Sequence, residues 1–147
     1  MKIRLRPATA DDVGAYVRIA RGVASPINLT IIDPAEVLAE INSACVFMIK
    51  RDTEIVGYIS YEERSSTHTY ISELAIHPDF QGSGMGSQAL GTLLMDLGRA
   101  GYNHIELVTH PDNPAKRLYE RHGFTVTGRI EDYEGSHTPR LVLSRRI

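Results

Sequence analysis

Apolar and polar residues alternate over residues 2–6, which puts Ile3 and Leu5 on one side of an extended segment and predicts a first strand closed by Pro7. The period then changes. Val13, Tyr16, Val17 and Ala20 recur at helical spacing behind Thr9 and Asp11, either of which can cap the helix. Asp33-Pro34 opens a second, shorter helix carrying Val37, Leu38 and Ile41, with Asp33 as its cap and proline in the first turn. Strands over 45–49 and 54–62 flank the turn Arg51-Asp52-Thr53 and read as a hairpin, and a third strand over 67–76 extends the meander. A helix over about 84–100 carries Leu90, Leu93, Leu94 and Leu97 and ends at Gly101. The short apolar run 105–109 follows a strand, a loop and that helix. A right-handed crossover therefore lays it parallel to the strand carrying Glu73. Asn113-Pro114 begins a last helix with Ala115, Leu118 and Tyr119, which His122-Gly123 stops; strands over 124–130 and 140–143 complete the chain. The sum is an α/β fold, a mixed sheet flanked by helices, forming one domain over 1–147.

Residues 25–32, Ser-Pro-Ile-Asn-Leu-Thr-Ile-Ile, are more apolar than a solvent loop should be. They read either as a buried edge of the core or as a pocket wall or partner surface.

Composition narrows the class. A chain of 147 residues suits one domain with a real core, and 42 % hydrophobic residues with 12 glycines and 7 prolines indicate neither disorder nor a fibre. A formal charge of −2 from 16 basic and 18 acidic side chains gives no bulk field for nucleic acid. No apolar run reaches the roughly 18 residues that span a bilayer, so no membrane partner is expected. Cys45 stands alone, which leaves no intrachain disulfide and no cysteine-rich zinc cluster. With no apolar leader at the N-terminus it points to a cytoplasmic location, and Cys45 itself reads as a small packing residue. Six histidines show no His-x-x-x-His or cysteine pairing, and no metal site is expected.

Candidate chemistry gathers where the third strand gives way to its helix, in Glu73-Leu74-Ala75-Ile76-His77-Pro78-Asp79-Phe80-Gln81-Gly82-Ser83-Gly84-Met85-Gly86-Ser87. Glycines at 82, 84 and 86 remove Cβ atoms where a ligand must approach the backbone, and free N–H groups there and in the first helical turn attract anions. The loop reads as a phosphate or pyrophosphate cradle; its plainer reading is a flexible turn with incidental glycines. The dinucleotide fingerprint Gly-x-Gly-x-x-Gly does not fit, since the spacing here is Gly-x-Gly-x-Gly in mid-chain.

The run Gln81-Gly82-Ser83-Gly84-Met85-Gly86 resembles the Gln/Arg-x-x-Gly-x-Gly/Ala signature of the GCN5-related N-acetyltransferases, the GNAT family. The block His110-Pro111-Asp112-Asn113-Pro114-Ala115-Lys116-Arg117-Leu118-Tyr119-Glu120-Arg121-His122-Gly123-Phe124 resembles that family's asparagine-to-tyrosine helix ending in Gly-Phe. The strand order fits the whole fold, so the resemblance spans nearly the full chain. It implies a GNAT-like acyl-CoA N-acyltransferase fold, a mixed and mostly antiparallel sheet whose central parallel strands splay apart. It also implies acetyl-coenzyme A (acetyl-CoA) as co-substrate. In that reading the backbone N–H groups of Gln81, Gly82, Ser83, Gly84, Met85 and Gly86, with Ser87 in the first helical turn, hold the pyrophosphate. Leu74, Ala75 and Ile76 pair with the pantetheine arm, and Asn113 hydrogen-bonds it. Lys116 and Arg117, near the cofactor helix, meet either the phosphates or water.

Acetyl transfer to a primary amine by direct attack in a ternary complex needs a neutral nucleophile, a polarised thioester carbonyl and a proton for the departing thiolate. The resemblance implies the backbone N–H of Leu74 or Ile76 for the carbonyl oxygen. Tyr119 is the candidate acid, its alternative being a core tyrosine. Glu73 is the candidate base; by strand alternation it shares a face with Ile71 and Ala75, and its alternative is a structural carboxylate. Tyr61, Tyr133 and His137 would contact the acceptor if the last hairpin folds over the cleft. Glu62 and Glu63 would form an acidic rim or a solvated strand end. A small-molecule acceptor is expected ahead of a protein amine. The alternatives are a protein N-acetyltransferase and a non-catalytic acyl-CoA-binding module of the same fold. Family habit makes a homodimer one expectation, through residues 27–32 or the C-terminal strands.

Overall fold

The computed structural model describes residues 2–147. Seven strands form one sheet: β1 (Arg4–Pro7), β2 (Cys45–Arg51), β3 (Glu54–Glu63), β4 (His68–Ile76), β5 (His104–Thr109), β6 (Thr125–Ile130) and β7 (Arg140–Arg146). Their spatial order is β1-β2-β3-β4-β5-β7-β6, and every neighbouring pair is antiparallel except β4–β5. The crossover through α3 (Met85–Arg99) makes that pair parallel, as its length and handedness require.

Each face of the sheet carries its own core. On one face α1 (Val13–Val23) and α2 (Pro34–Ser43) cover β2 to β4, with Tyr16, Ile19, Ala20, Val37, Met48, Tyr58 and Ala75 buried between them. On the other, α3 and α4 (Ala115–Arg121) pack Leu90, Leu93, Leu97 and Tyr119 against Ile59, Ile71, Ile105 and Leu143. The ends of α2 and α3 follow their sequence signals, whereas α1 has Asp12 at its N-cap, behind the 3-10 turn Ala10–Asp12 that Thr9 caps. The Asp33 carboxylate accepts from the Glu36 N–H at 3.1 Å ahead of Pro34, a cap worth about 1 kcal/mol. Beyond α3, Gly101 takes a φ of +99°, and the Tyr102 N–H returns to the Leu97 carbonyl at 3.0 Å.

Two irregularities position the cleft. The ladder between β4 and β5 holds for only three residue pairs, His68 with His104, Thr69 with Ile105 and Tyr70 with Glu106; beyond them the strands part. The second is a β-bulge. Ser60 faces Glu73 but Tyr61 faces Ile71, so Ser72 is an extra residue in β4. It reverses the inside–outside order of the strand. Ile71 belongs to the α3-side core, whereas Ala75 belongs to the α1 side and Glu73 meets α1. Glu73 thus shares a face with Ala75 and not with Ile71, correcting the expectation from simple alternation.

Candidate functional site

The parting of β4 and β5 opens a cleft of about 870 Å³, lined by β4, the glycine loop, the start of α3, the ends of β5 and β7, α4 and residues 22–30. On β4, the His77 N–H donates to the Val56 carbonyl at 2.8 Å, toward β3. Alternation then turns the peptide groups of Leu74 and Ile76 the other way, toward the edge that β5 has left. The Gln81 side-chain amide donates to the Ile76 carbonyl at 2.8 Å, tying the loop to the strand.

Gly82 and Gly84 adopt φ values of +87° and +82°, a conformation that L side chains rarely take, and a Cβ at either would meet only open space. The first hydrogen bond of α3 runs from the Gln88 N–H to the Gly84 carbonyl at 3.0 Å. Among the described residues no acceptor takes the N–H groups of Gly82, Ser83, Gly84, Met85, Gly86 or Ser87. Six consecutive donors at a helix N-terminus suit a diphosphate in both charge and geometry. Ser87 adds a side-chain contact, its hydroxyl 2.8 Å from His122 Nε2.

Asn113 lines the cleft with its Oδ1 accepting from the Ala115 N–H at 2.9 Å, which leaves its amide N–H₂ as a donor. Lys116 is placed elsewhere. Its ammonium lies 3.4 Å from Glu120, one turn along α4, and the cationic residue of α4 that lines the cleft is Arg121. Lys116 and Glu120 are i,i+4 neighbours, so the ammonium lies along the surface of α4.

Glu73 and Tyr119 reach the cleft from opposite faces of the sheet. Tyr119 packs in the α3-side core edge-on to Phe124, with ring centroids 6.2 Å apart, and is only 8 % exposed. Its hydroxyl finds no protein partner among the described residues, and burial pushes its pKa up to about 12. Glu73 lies on the α1 side and accepts from the Tyr16 hydroxyl at 2.5 Å. Tyr16 stacks on Tyr58 with centroids 3.8 Å apart, and this buried pair forms the floor beneath the carboxylate. Burial pushes Glu73 up to about 7; the Tyr16 and Tyr58 hydroxyls pull it down, and Glu40 adds to the rise. The Tyr16 hydroxyl is itself held well above the ordinary tyrosine range by burial and by the Glu73 charge.

The segment 25–32 divides between the two readings: residues 25–30 form pocket wall, and Ile31 packs on the α1-side core. Ser25, Ile27, Asn28, Leu29 and Thr30 line the cleft, and Leu29 and Ile32 remain exposed. Of the three residues considered for acceptor contact, Tyr133 lines the cleft, while Tyr61 stacks on Phe47 and His137 turns to Asp132. Glu62 pairs with Arg64, and Glu63 accepts from the Tyr102 hydroxyl, so neither forms a rim of the cleft.

Three further features emerge only in the fold. Tyr16 is separated from Glu73 by 57 positions, although a core-facing tyrosine in an apolar stripe is a signal that its hydroxyl needs a partner. Arg140 is 3 % exposed and lines the cleft, where a strand-end arginine reads as surface. His68, His104 and Glu106 meet across the β4–β5 ladder with ligand atoms within 4.8 Å of one another. Those two imidazoles are stacked, with centroids 4.2 Å apart and planes 15° from parallel, so their in-plane lone pairs do not converge on one ion.

The chain belongs to the GNAT acetyltransferase family, whose model matches residues 23–124. It is 38 % identical over 84 residues to mycothiol acetyltransferase from Brachybacterium faecium, covering 54 % of this chain and 25 % of that protein. It thus spans about a quarter of that relative's length. Among solved structures, Ard1 from Thermoplasma volcanium superposes with a TM-score of 0.87 at 20 % identity, covering 100 % of this chain and 99 % of that one. A GNAT family acetyltransferase from Elizabethkingia anophelis with acetyl-CoA bound gives 0.79 at 19 % identity, covering 99 % and 98 %. These likenesses establish the fold that the parted parallel strands define. No helix among the described residues is long and apolar enough to cross a membrane.

Proposed function

We propose that the chain transfers an acetyl group from acetyl-CoA to the primary amine of a small molecule by direct attack. The observation that carries this reading is the meeting, at one break in the sheet, of six unpartnered backbone donors with Glu73 and Tyr119 on opposite faces. The N–H groups of 82–87 hold the diphosphate, the open edge at Leu74 and Ile76 pairs with the pantetheine arm, and the Asn113 amide donates to it. Ala75 contributes to the wall of the slot without directing its peptide toward it. Bound there, acetyl-CoA supplies the acetyl group as an activated thioester.

Glu73, half ionised near neutrality, takes the proton that the amine must lose to become a nucleophile. The N–H of Leu74 or Ile76 bonds the carbonyl oxygen as negative charge builds on it. As the carbon–sulfur bond breaks, the Tyr119 hydroxyl faces the departing sulfur. A tyrosine near 12 keeps its proton at neutral pH, while a free thiol ionises near 8.5. Tyr119 therefore acts chiefly by donating a hydrogen bond to the developing thiolate. Solvent returns to sulfur the proton that Glu73 removed.

A screen of small primary amines with acetyl-CoA, read as thiol release and product mass, tests the reading. Acetylated product from at least one small amine at a rate well above thioester hydrolysis is expected. Tight acetyl-CoA binding with no product from any amine would instead assign the chain to the non-catalytic binding modules. Product from peptides alone would move the acceptor to protein amines.

A further inference from the structure

β7 alternates cleanly. Leu141 and Leu143 pack on the α3 side, so Arg140 faces the α1 side of the sheet, the side on which Glu73 stands. Arg140 is 3 % exposed, a degree of burial that a guanidinium tolerates only when its charge is answered. The answer inside the protein is partial. Nη1 donates to the Thr138 hydroxyl at 3.0 Å and to the Pro139 carbonyl at 2.8 Å, and the guanidinium carbon stands 5.1 Å from the centroid of the Tyr133 ring. Among the described residues no acceptor takes Nε or Nη2, and no carboxylate pairs with Arg140. All three contacts are neutral, and the two hydrogen bonds hold one end of the fork while leaving the other to the cleft it lines.

The wall opposite explains what such a fork is for. Glu73 is the one carboxylate among the described residues lining the cleft, and it is committed to Tyr16 rather than to an arginine. The acceptor side therefore offers one anionic group and one buried cation that do not neutralise each other. A ligand carrying an ammonium and a carboxylate complements both at once. We propose that Arg140 binds a carboxylate of the acceptor, so that the acceptor is a zwitterionic amine of the amino-acid class, its amino group presented to Glu73. The proposal rests on the acetyl-transfer reading above and adds the substrate class to it. A planar carboxylate matches the free Nε/Nη2 edge of the guanidinium, and the Tyr133 ring beside it restricts how far the fork can turn.

The test compares matched pairs of acceptors, each an amino acid and the amine lacking its carboxylate, with saturating acetyl-CoA. The wild type is expected to favour the carboxylate-bearing member in kcat/KM by about tenfold or more, through KM. In Arg140→Gln that preference collapses to within a few-fold, and Arg140→Lys, which keeps charge but loses the fork, falls between. Acetyl-CoA titration of each variant shows whether it is folded. A second arm needs no turnover: millimolar amino acids raise the Tm of the wild type bound to coenzyme A, and fail to raise that of Arg140→Gln. Equal use of both members by the wild type, or a preference that survives Arg140→Gln, overturns the carboxylate assignment while leaving acetyl transfer standing. No product from any amine, with the Tm shift intact, overturns the transfer reading and leaves the anion site standing.

Discussion

Along the break between β4 and β5, the side toward α3 presents mainly peptide groups, the N–H donors of 82–87 and the edge of Leu74 and Ile76, with the Asn113 amide and the Tyr119 hydroxyl beside them. The side toward α1 presents side chains, Glu73 on its tyrosine floor, Tyr133 and Arg140. A surface made of backbone depends on where the chain goes, and few side chains alter it as long as the φ angles can be held. A surface made of side chains can be rewritten one residue at a time. A half built from conformation therefore tolerates sequence change that would remake a half built from composition.

The sharpest way to break this contrast is to deny the backbone its conformation. Gly84→Val places a β-branched residue at a φ of +82°, a cost of about 1–3 kcal/mol, and puts its Cβ into the space above the loop. Acetyl-CoA affinity is expected to fall by about 10–100-fold in a calorimetric titration. An unchanged affinity would move the cradle away from this loop.

Next in size is Tyr119→Phe, which removes one hydroxyl and almost no packing. A fall in kcat of about tenfold or more is expected with acetyl-CoA affinity held within about twofold, because the lost bond forms as sulfur departs. An unchanged kcat, with chemistry shown to be rate-limiting, removes Tyr119 from the reaction and returns it to the core.

The tyrosine floor predicts a pH signature. Burial raises Glu73 from 4.5 to about 7, so kcat/KM should rise with pH along a limb near 7, and Glu73→Gln should abolish that limb. Tyr16→Phe removes a bond that favours the carboxylate, so its limb moves to higher pH. The same shift bears on stability. A carboxyl group whose pKa is raised on folding contributes stability that is complete below about 4.5 and lost as pH rises through about 7. Glu73→Gln should therefore be the more stable protein above pH 7, by up to about 3 kcal/mol, and lose that advantage near pH 4. Denaturant melts at the two pH values measure it; equal stability at both would mean that Glu73 is better solvated than its surroundings indicate.

The smallest effect is expected at Lys116, whose exposed pair with Glu120 is worth a few tenths of a kcal/mol. Lys116→Ala should leave acetyl-CoA affinity within about twofold. A tenfold loss would show that the ammonium swings to the phosphates.

What the sequence made readable follows the same division. The glycine loop, the Asn113-Pro114 start and the parallel crossover were all legible, because glycine, proline and periodicity report on backbone. Glu73 and Tyr119 were legible as positions but not as surroundings. One inserted residue at Ser72 changed which face Glu73 occupies, and no local signal marks a bulge in so regular a strand. The Tyr16 contact, the burial of Arg140 and the meeting of His68 with His104 are products of tertiary closure between segments far apart in the chain.

A calorimetric comparison of acetyl-CoA with acetyl-pantetheine, which keeps the thioester and lacks the diphosphate, bears most directly on the backbone cradle. Saturable binding of acetyl-CoA is expected, with a loss of at least about a hundredfold for the shorter thioester, since charge-assisted bonds to several N–H groups disappear. Equal affinity for the two compounds, or no heat from acetyl-CoA at millimolar concentration, would contradict it.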